Sequence, residues 1–360
     1  SGFLALCTKS LDTPTVIPSE HFNTVLYTGN GSTQSITGVG FEPSLVWMKN
    51  RSASQSHALV DVVRGRSKVL FSDLTNAEQT SATVNDDLVS FDTDGFTVGT
   101  PERAGSTNNN GSSIVAWNWK AGGSAVSNSN GSITSSVSAN ASAGFSIVSY
   151  TGTGSNATVG HGLTLAVPEM VIVKKRASNG SDGVRSWAVY NSTLGNAQGL
   201  YLNATNAVFA AGNFWNSTTP TSSVFSIGSG TSSQETNING DTYIAYAFHS
   251  VDSYSKVGSY IGNGNVDGPF VHCGFRPKFV LIKDTTNVNE WRIYDVERAD
   301  NTMYKILVPN SSNAEGVSGH GIDVLSNGFK VRGTAVINAS SANHIFLAFA
   351  ESPFKHTNAR

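Results

Sequence analysis

Charge is scarce in this chain. Of its 360 residues, 13% are Asp, Glu, Lys or Arg, about half the usual share of a globular domain. The formal net charge is −2 and no Lys/Arg cluster stands out. A nucleic-acid partner is therefore not expected, because phosphate binding needs concentrated positive charge. Cysteine occurs twice, as Cys7 and Cys273. That excludes a disulfide framework and a thiolate metal site, and both read as small buried apolar residues. No apolar run approaches the ~20 residues needed to cross a bilayer, so membrane insertion is not expected. The chain starts at Ser1 without an initiator Met or a signal peptide, as a processed or partial product would.

Catalytic signatures are missing too. The histidines, at 21, 57, 161, 249, 272, 320, 344 and 356, show no zinc-binding spacing. No Gly-x-Ser-x-Gly nucleophile elbow occurs. "GTGSNATVGHG" (152–162) is glycine-rich but lacks the Lys-Ser/Thr of a phosphate loop and reads as a turn. Asp86/Asp87, Asp92/Asp94 and Asp295 with Glu297 are the carboxylate pairs that could serve glycoside hydrolysis; solvated turn residues are the plainer alternative. "DTDG" (92–95) resembles the start of a calcium loop but lacks the downstream bidentate Glu. The sequence thus predicts no catalytic residue, metal or cofactor, and a protein that is not an enzyme.

Glycine is plentiful, at 36 residues, and accompanies many Ser, Thr and Asn, the composition of a turn-rich all-β protein. Two anchors recur three times. Tyr-x-Gly-x-Gly occurs at Tyr27, Tyr150 and Tyr260. Pro-x-x-x-x-x-Lys occurs at Pro43/Lys49, Pro168/Lys174 and Pro277/Lys283, with Tyr-to-Pro distances of 16, 18 and 17. Later segments match as well: "HALVDVV" (57–63), "SWAVYNS" (186–192) and "EWRIYDV" (290–296), then closing strands with Ala116-Trp117, Ala245-Tyr246 and Ala348-Phe349. A repeat at this period defines the architecture.

The predicted fold is all-β: three tandem antiparallel β-sandwich, jelly-roll-like modules of about 100 residues. They span 21–122, 143–251 and 255–355, after an extended arm at 1–20 and before a tail at 356–360. Phe3, Leu4 and Leu6 of the arm need an apolar cover. Residues 123–142 have the Ser/Gly/Asn composition of a flexible linker, although Ile133 and Val137 could add an edge strand. The second junction is far shorter, so modules two and three should be the more rigidly coupled pair. "WAVYNS" and "WRIYDV" alternate like strands with one wet face, and "LTNAEQTSA" (74–82) is the best candidate for a helical turn.

The proline of each signature reads as the turn into a buried strand, and the lysine as a cation that snorkels to water where that strand emerges. Tyr27, Pro43, Lys49, Tyr150, Pro168, Lys174, Tyr260, Pro277 and Lys283 are therefore scaffold. Trp47, Trp117, Trp119, Trp187 and Trp291 lie in strands and read as core or interface residues. Binding should sit where the copies differ: in the loops after each lysine and at "NFWNS" (213–217). Phe214 and Trp215 there are candidates for stacking on sugar rings, or else a plug over the module core.

The stretches "HFNTVLYTGNGSTQSITGVGFEPSLVWMKNRSASQSHALVD", "GSYIGNGNVDGPFVHCGFRPKFVLIK" and the ending "AFAESPFKHTNAR" resemble a family of large virion proteins common in tailed phages of marine and freshwater bacteria, cyanophages among them. The resemblance covers essentially the whole chain. It implies a tail-fibre or other virion structural protein whose C-terminal part has this layout, often after a lectin-like SPRY-type domain. An upstream anchoring end would then lie outside this chain, with Arg360 as the natural C-terminus. No catalytic residues come with it. The expected role is a trimeric virion-surface adhesin in contact with other virion proteins, binding host glycans or proteins by multivalent weak contacts. Competing readings are a capsid decoration protein or head fibre, a polysaccharide-degrading tailspike, and a bacterial extracellular adhesin.

Overall fold

The computed structural model of the chain describes residues 16–81, 87–101, 107–177, 184–230, 233–299 and 302–351. Among them the regular structure is strand, apart from short 3-10 turns such as Pro18–Glu20, so the all-β expectation holds. The ladders between strands are antiparallel.

The first module contains β1 (Phe22–Thr28), β2 (Gln34–Thr37), β3 (Leu45–Asn50), β4 (Ala58–Asp61), β5 (Lys68–Phe71), β6 (Gln79–Thr80), β7 (Leu88–Asp92), β8 (Gly95–Val98) and β9 (Ser113–Trp119). Its large sheet runs β1-β9-β3-β4-β5-β6 and its small sheet β2-β8-β7. The second module has β10 (Val126–Asn128), β11 (Ser135–Asn140), β12 (Phe145–Thr151), β13 (Ala157–Gly160), β14 (Met170–Ala177), β15 (Ala188–Asn191), β16 (Gln198–Tyr201), β17 (Phe209–Ala210), β18 (Val224–Ile227) and β19 (Thr242–Phe248). Its sheets are β10-β11-β12-β19-β14-β15-β16-β17 and β13-β18. The third has β20 (Ser255–Ile261), β21 (Asp267–His272), β22 (Pro277–Asp284), β23 (Arg292–Asp295), β24 (Thr302–Ile306), β25 (Gly316–Leu325), β26 (Gly328–Arg332) and β27 (Asn343–Ala350), in sheets β20-β27-β22-β23 and β21-β26-β25-β24.

The central strands of each large sheet are buried on both faces, which explains their continuous apolar runs. In β3, Val46 and Met48 face the small sheet of their own module, while Leu45 and Trp47 face a core shared by all three modules. That shared core gathers Trp47, Trp117 and Trp119 from the first module, Trp187 and Tyr246 from the second, and Trp291 and Phe349 from the third. The tryptophans are therefore interface residues, as expected. Phe22 stacks on Phe349 at 4.8 Å and Trp119 meets Phe279 edge-on at 5.8 Å, so ring packing crosses from module one to module three. The wet face expected for the "WAVYNS" and "WRIYDV" strands does not exist: all four residues of β15 and of β23 are buried.

Other expectations change in similar ways. Residues 123–142 are built into the second module as the edge hairpin β10-β11, with Val137 buried and Ile133 bridged to Val159. Residues 74–81 form no helical turn; Gln79–Thr80 pairs with β5, and the Glu78 N–H is drawn out to the Arg176 carbonyl of the second module. The apolar residues of the arm, Phe3, Leu4 and Leu6, lie outside the described residues. Register also corrects the third closing strand. Opposite Tyr27, Tyr150 and Tyr260 stand Ile114, Tyr243 and His344, so Ala116 and Ala245 correspond to Phe346 and not to Ala348. Gly258 makes room for that larger ring: a Cβ there would meet Phe346 Cζ at 2.6 Å, where the other modules carry Val25 and Val148.

Candidate functional site

The prolines behave as predicted. Pro43 and Pro168 precede β3 and β14, and Pro277 is the first residue of β22, where a missing N–H costs no ladder bond. The tyrosines of Tyr-x-Gly-x-Gly anchor a tight loop. Their hydroxyls donate to Thr107 O (2.5 Å), Thr236 O (2.7 Å) and Ile337 O (2.7 Å). A buried asparagine completes each anchor, and sequence reasoning missed it: Asn108, Asn237 and Asn338 accept the N–H of Asn30, Thr153 and Asn263 on Oδ1. The first glycine of each motif lets the loop close on this segment; a Cβ at Gly29, Gly152 or Gly262 would meet a carbonyl oxygen at 2.2–2.3 Å.

The lysines do not snorkel. Lys49, Lys174 and Lys283 are fully buried, and each reaches into a neighbouring module. Lys49 Nζ donates to its own Gln55 O (2.7 Å) and to Ser312 O of the third module (3.0 Å). Lys174 Nζ donates to Arg185 O (2.5 Å) and to Thr75 O of the first module (2.7 Å). Lys283 Nζ donates to Asn289 O and to Thr205 O of the second module (3.0 Å). The direction is always the same: second on first, first on third, third on second. A carbonyl cage supplies partners where water cannot, which is why a charge is tolerated. Burial still lowers these groups, Lys49 and Lys283 to about 8 and Lys174 to about 7.

A second repeated feature surrounds the lysines, and sequence reasoning missed it. Where the second module meets the first, Tyr246 Oη donates to Asp61 Oδ2 (2.8 Å), Asp61 pairs with Arg64 (2.5 Å), and Glu78 bridges Arg64 and Arg176. Where the first meets the third, Trp117 Nε1 donates to Asp295 Oδ2 (3.0 Å), Asp295 pairs with Arg298 (2.5 Å), and Glu315 bridges Arg298 and Arg51. Burial alone would raise the Glu315 carboxyl, but the hydrogen-bonded Arg51 and the charge of Arg298 hold it below the ordinary glutamate value. Where the third meets the second, the equivalent positions are Leu347, Asn191, Leu194, Val208 and Thr285. The backbone contact is nonetheless kept: Val208 N donates to Thr285 O (2.9 Å), as Glu78 N does to Arg176 O and Glu315 N to Arg51 O. The signal was present as Asp-x-x-Arg at 61–64 and 295–298 against "NSTL" at 191–194.

Phe214 and Trp215 are 5% and 2% exposed. They pack against Tyr201, Phe209 and Tyr190 in the second module's own core, so the stacking candidates are a plug that no sugar ring can reach. Nor are the loops after each lysine free binding loops where they are described; Gln55, Arg185 and Asn289 spend their carbonyls on the buried lysines. Of the acid pairs, Asp86 lies outside the described residues. Asp87 accepts from Ser81 and Thr107, Asp92 from Thr97, and Asp94 from the N–H groups of Gly38 and Gly40. Asp295 belongs to the joint just described, and Glu297 pairs with Lys278 (2.8 Å). The shared core encloses a cavity of about 20 Å³ lined by apolar side chains including Leu45, Trp119 and Leu281. A water there would find no partners.

One family model matches residues 17–353, described as a domain of unknown function, DUF7483. The chain belongs to that family. The match spans all three modules, so a DUF7483 domain is the whole closed cycle and not one of its repeats. No curated protein matches the chain.

Proposed function

We propose that this DUF7483 chain is a structural protein of a phage virion surface, a tail fibre or adhesin that touches the host through several weak contacts. The observation that carries the reading is the closed cycle of modules: three copies of one contact bury the central strands of every large sheet on both faces. Such a block resists local opening because each joint pins a segment of one module to the backbone of its neighbour, at Glu78, Val208 and Glu315. It also presents three equivalent polar loops, at 29–32, 152–155 and 262–265, as a built-in multivalent array. The resemblance of the repeat motifs to phage virion proteins supports the same reading. The partners are other virion proteins and a host surface glycan or protein, and a homotrimer would carry three such blocks.

Cyclic closure also favours a second reading, a capsid decoration protein or head fibre, because the modules form one compact block and not an extended string. Cryo-EM of the intact particle tests both. Density for this chain on the tail supports the adhesin, and density on the capsid exterior supports decoration. Density inside the capsid, or none on the particle, defeats both. Binding of the purified chain to host cells then checks the adhesin, with Trp47→Ala expected to lose fold and binding together.

A further inference from the structure

One pair of side chains in the second module has no counterpart in the other two. The row of residues just beyond each signature lysine reads Tyr27–Ile114–Asn50, Tyr150–Tyr243–Lys175 and Tyr260–His344–Asp284. Asn50 and Asp284 do the same work: Oδ1 of each accepts two N–H groups of the following loop, Ser52 and Ala53 in one case and Thr286 and Asn287 in the other. An ammonium can accept nothing. Lys175 instead meets Asp241, the residue just before β19, with Nζ 2.6 Å from Oδ2 and side chains 3% and 2% exposed. Asp241 is fixed at the backbone, its N–H on Ile238 O and its carbonyl accepting from Gly152. Among the described residues Lys175 Nζ has no other hydrogen-bond partner. Next to it stand the stacked rings of Tyr150 and Tyr243, 5.2 Å apart.

A buried cation whose sole partner is one carboxylate gains little from the pairing, because both ions have been taken out of water. The same geometry suits bond formation. Nucleophile and electrophile are held together in a buried site, a condition that favours intramolecular reaction.

We propose that Lys175 and Asp241 form an intramolecular isopeptide bond. The ammonium first gives a proton to the carboxylate, an exchange that low dielectric favours because it removes two charges. The Nζ lone pair then adds to Cγ, the Cγ–O bond breaks, and that oxygen leaves as water. Ammonium plus carboxylate becomes amide plus water, so atoms and charge balance with no co-reactant. Tyr243 stands opposite Lys175 in the ladder, and its hydroxyl is already engaged, accepting from Ile238 N–H (2.8 Å) and donating to Gln234 O (3.1 Å), so the proton passes directly between the pair. The bond would tie β14 to β19, the paired central strands of the second module, and close the long intervening loop covalently, a constraint on the unfolded chain like that of a disulfide.

Intact mass spectrometry of the full chain under denaturing conditions tests this. The expected mass is one water below the sequence mass, with a branched tryptic peptide joining Lys175 to Asp241. Lys175→Arg and Asp241→Ala should restore the full sequence mass. Asp241→Asn should lose one ammonia instead and yield the same branched peptide. A wild-type chain that shows a folded β-sheet circular dichroism spectrum yet retains the full sequence mass overturns the proposal and leaves a buried ion pair. So does a branched peptide that maps to other residues.

Discussion

Two of the three joints are ionic and one is neutral. Asp61, Arg64, Glu78, Arg176 and Tyr246 lock the second module on the first, and Asp295, Arg298, Glu315, Arg51 and Trp117 lock the first on the third. The third meets the second through Leu347, Asn191, Leu194, Val208 and Thr285. The swap is complete: no half of the cluster is left without its partners. That is what the energetics demand, because removing one member of a buried pair leaves an uncompensated charge, whereas exchanging the whole set for apolar groups can be neutral or stabilising. The neutral joint also lies between modules whose equivalent strands β19 and β20 are linked by residues 249–254 alone, whereas 120–144, with the hairpin β10-β11, run from β9 to β12. A short tether keeps those two modules at high effective concentration. The first and third modules have no direct tether, and their joint carries the ionic cluster plus the Arg298 guanidinium 5.8 Å over the Trp117 ring.

Breaking the ionic side of this comparison should have the largest effect. Arg298→Ala strands the buried Asp295 and removes one partner of Glu315, at an expected cost of about 3–5 kcal/mol, read as a shift in the urea unfolding midpoint. Leu194→Ala, at the same position of the neutral joint, should cost clearly less. A midsize effect is expected from importing half a lock. Val208→Glu alone should destabilise by about 1–3 kcal/mol, and adding Thr285→Arg should recover part of it, giving a coupling of about 0.5–3 kcal/mol in a double-mutant cycle. A coupling of zero would mean that the aligned positions do not meet as their backbone contact implies. Smaller still, replacing the whole first-on-third cluster with its neutral counterparts (Trp117→Leu, Arg51→Thr, Asp295→Asn, Arg298→Leu, Glu315→Val) should change stability far less than Arg298→Ala does.

The weakest lever is pH, and the two kinds of group act in different windows. Lys49, Lys174 and Lys283 sit at about 8, 7 and 8 in the fold, against ~10.4 in the unfolded chain. Between these values the unfolded chain binds more protons, so stability should rise with pH there. The gain is complete above the unfolded value and is lost as pH falls through the folded one. Lys174→Met should flatten the rise in a series of unfolding midpoints between pH 7 and 10. Glu315 is held low, so its contribution is present above its unfolded value of ~4.3 and fades as pH falls below it. Arg51→Ala should reduce that acid sensitivity.

The repeat and the strands were legible because Tyr-x-Gly-x-Gly and Pro-x-x-x-x-x-Lys encode local geometry: a loop that needs glycine and a proline at a strand start. The role of the lysine was not. Lys49 and its acceptor Ser312 are 263 positions apart, and nothing in "VWMKN" distinguishes a lysine that emerges into water from one that enters a neighbouring module. The two-faced burial of β15 and β23 was hidden for the same reason, since Asn191, Arg292 and Asp295 look solvent-facing until the neighbour that covers them is known. Phe214-Trp215 left two readings open: polar flanks suggested exposure, but the plug reading holds, because the chain folds back to bury both rings.

The uniform direction of the joints has a consequence for how such a molecule can change. In three identical subunits around an axis, any substitution appears at every interface at once, so a charged lock and a greasy seam could never coexist. Writing the three units into one polypeptide lifts that restriction. The first module still carries both halves of the ionic contact, Trp117 and Arg51 on one side, Asp61, Arg64 and Glu78 on the other. The second keeps only the giving half and the third only the receiving half, so each unit has become specific for its place in the sequence.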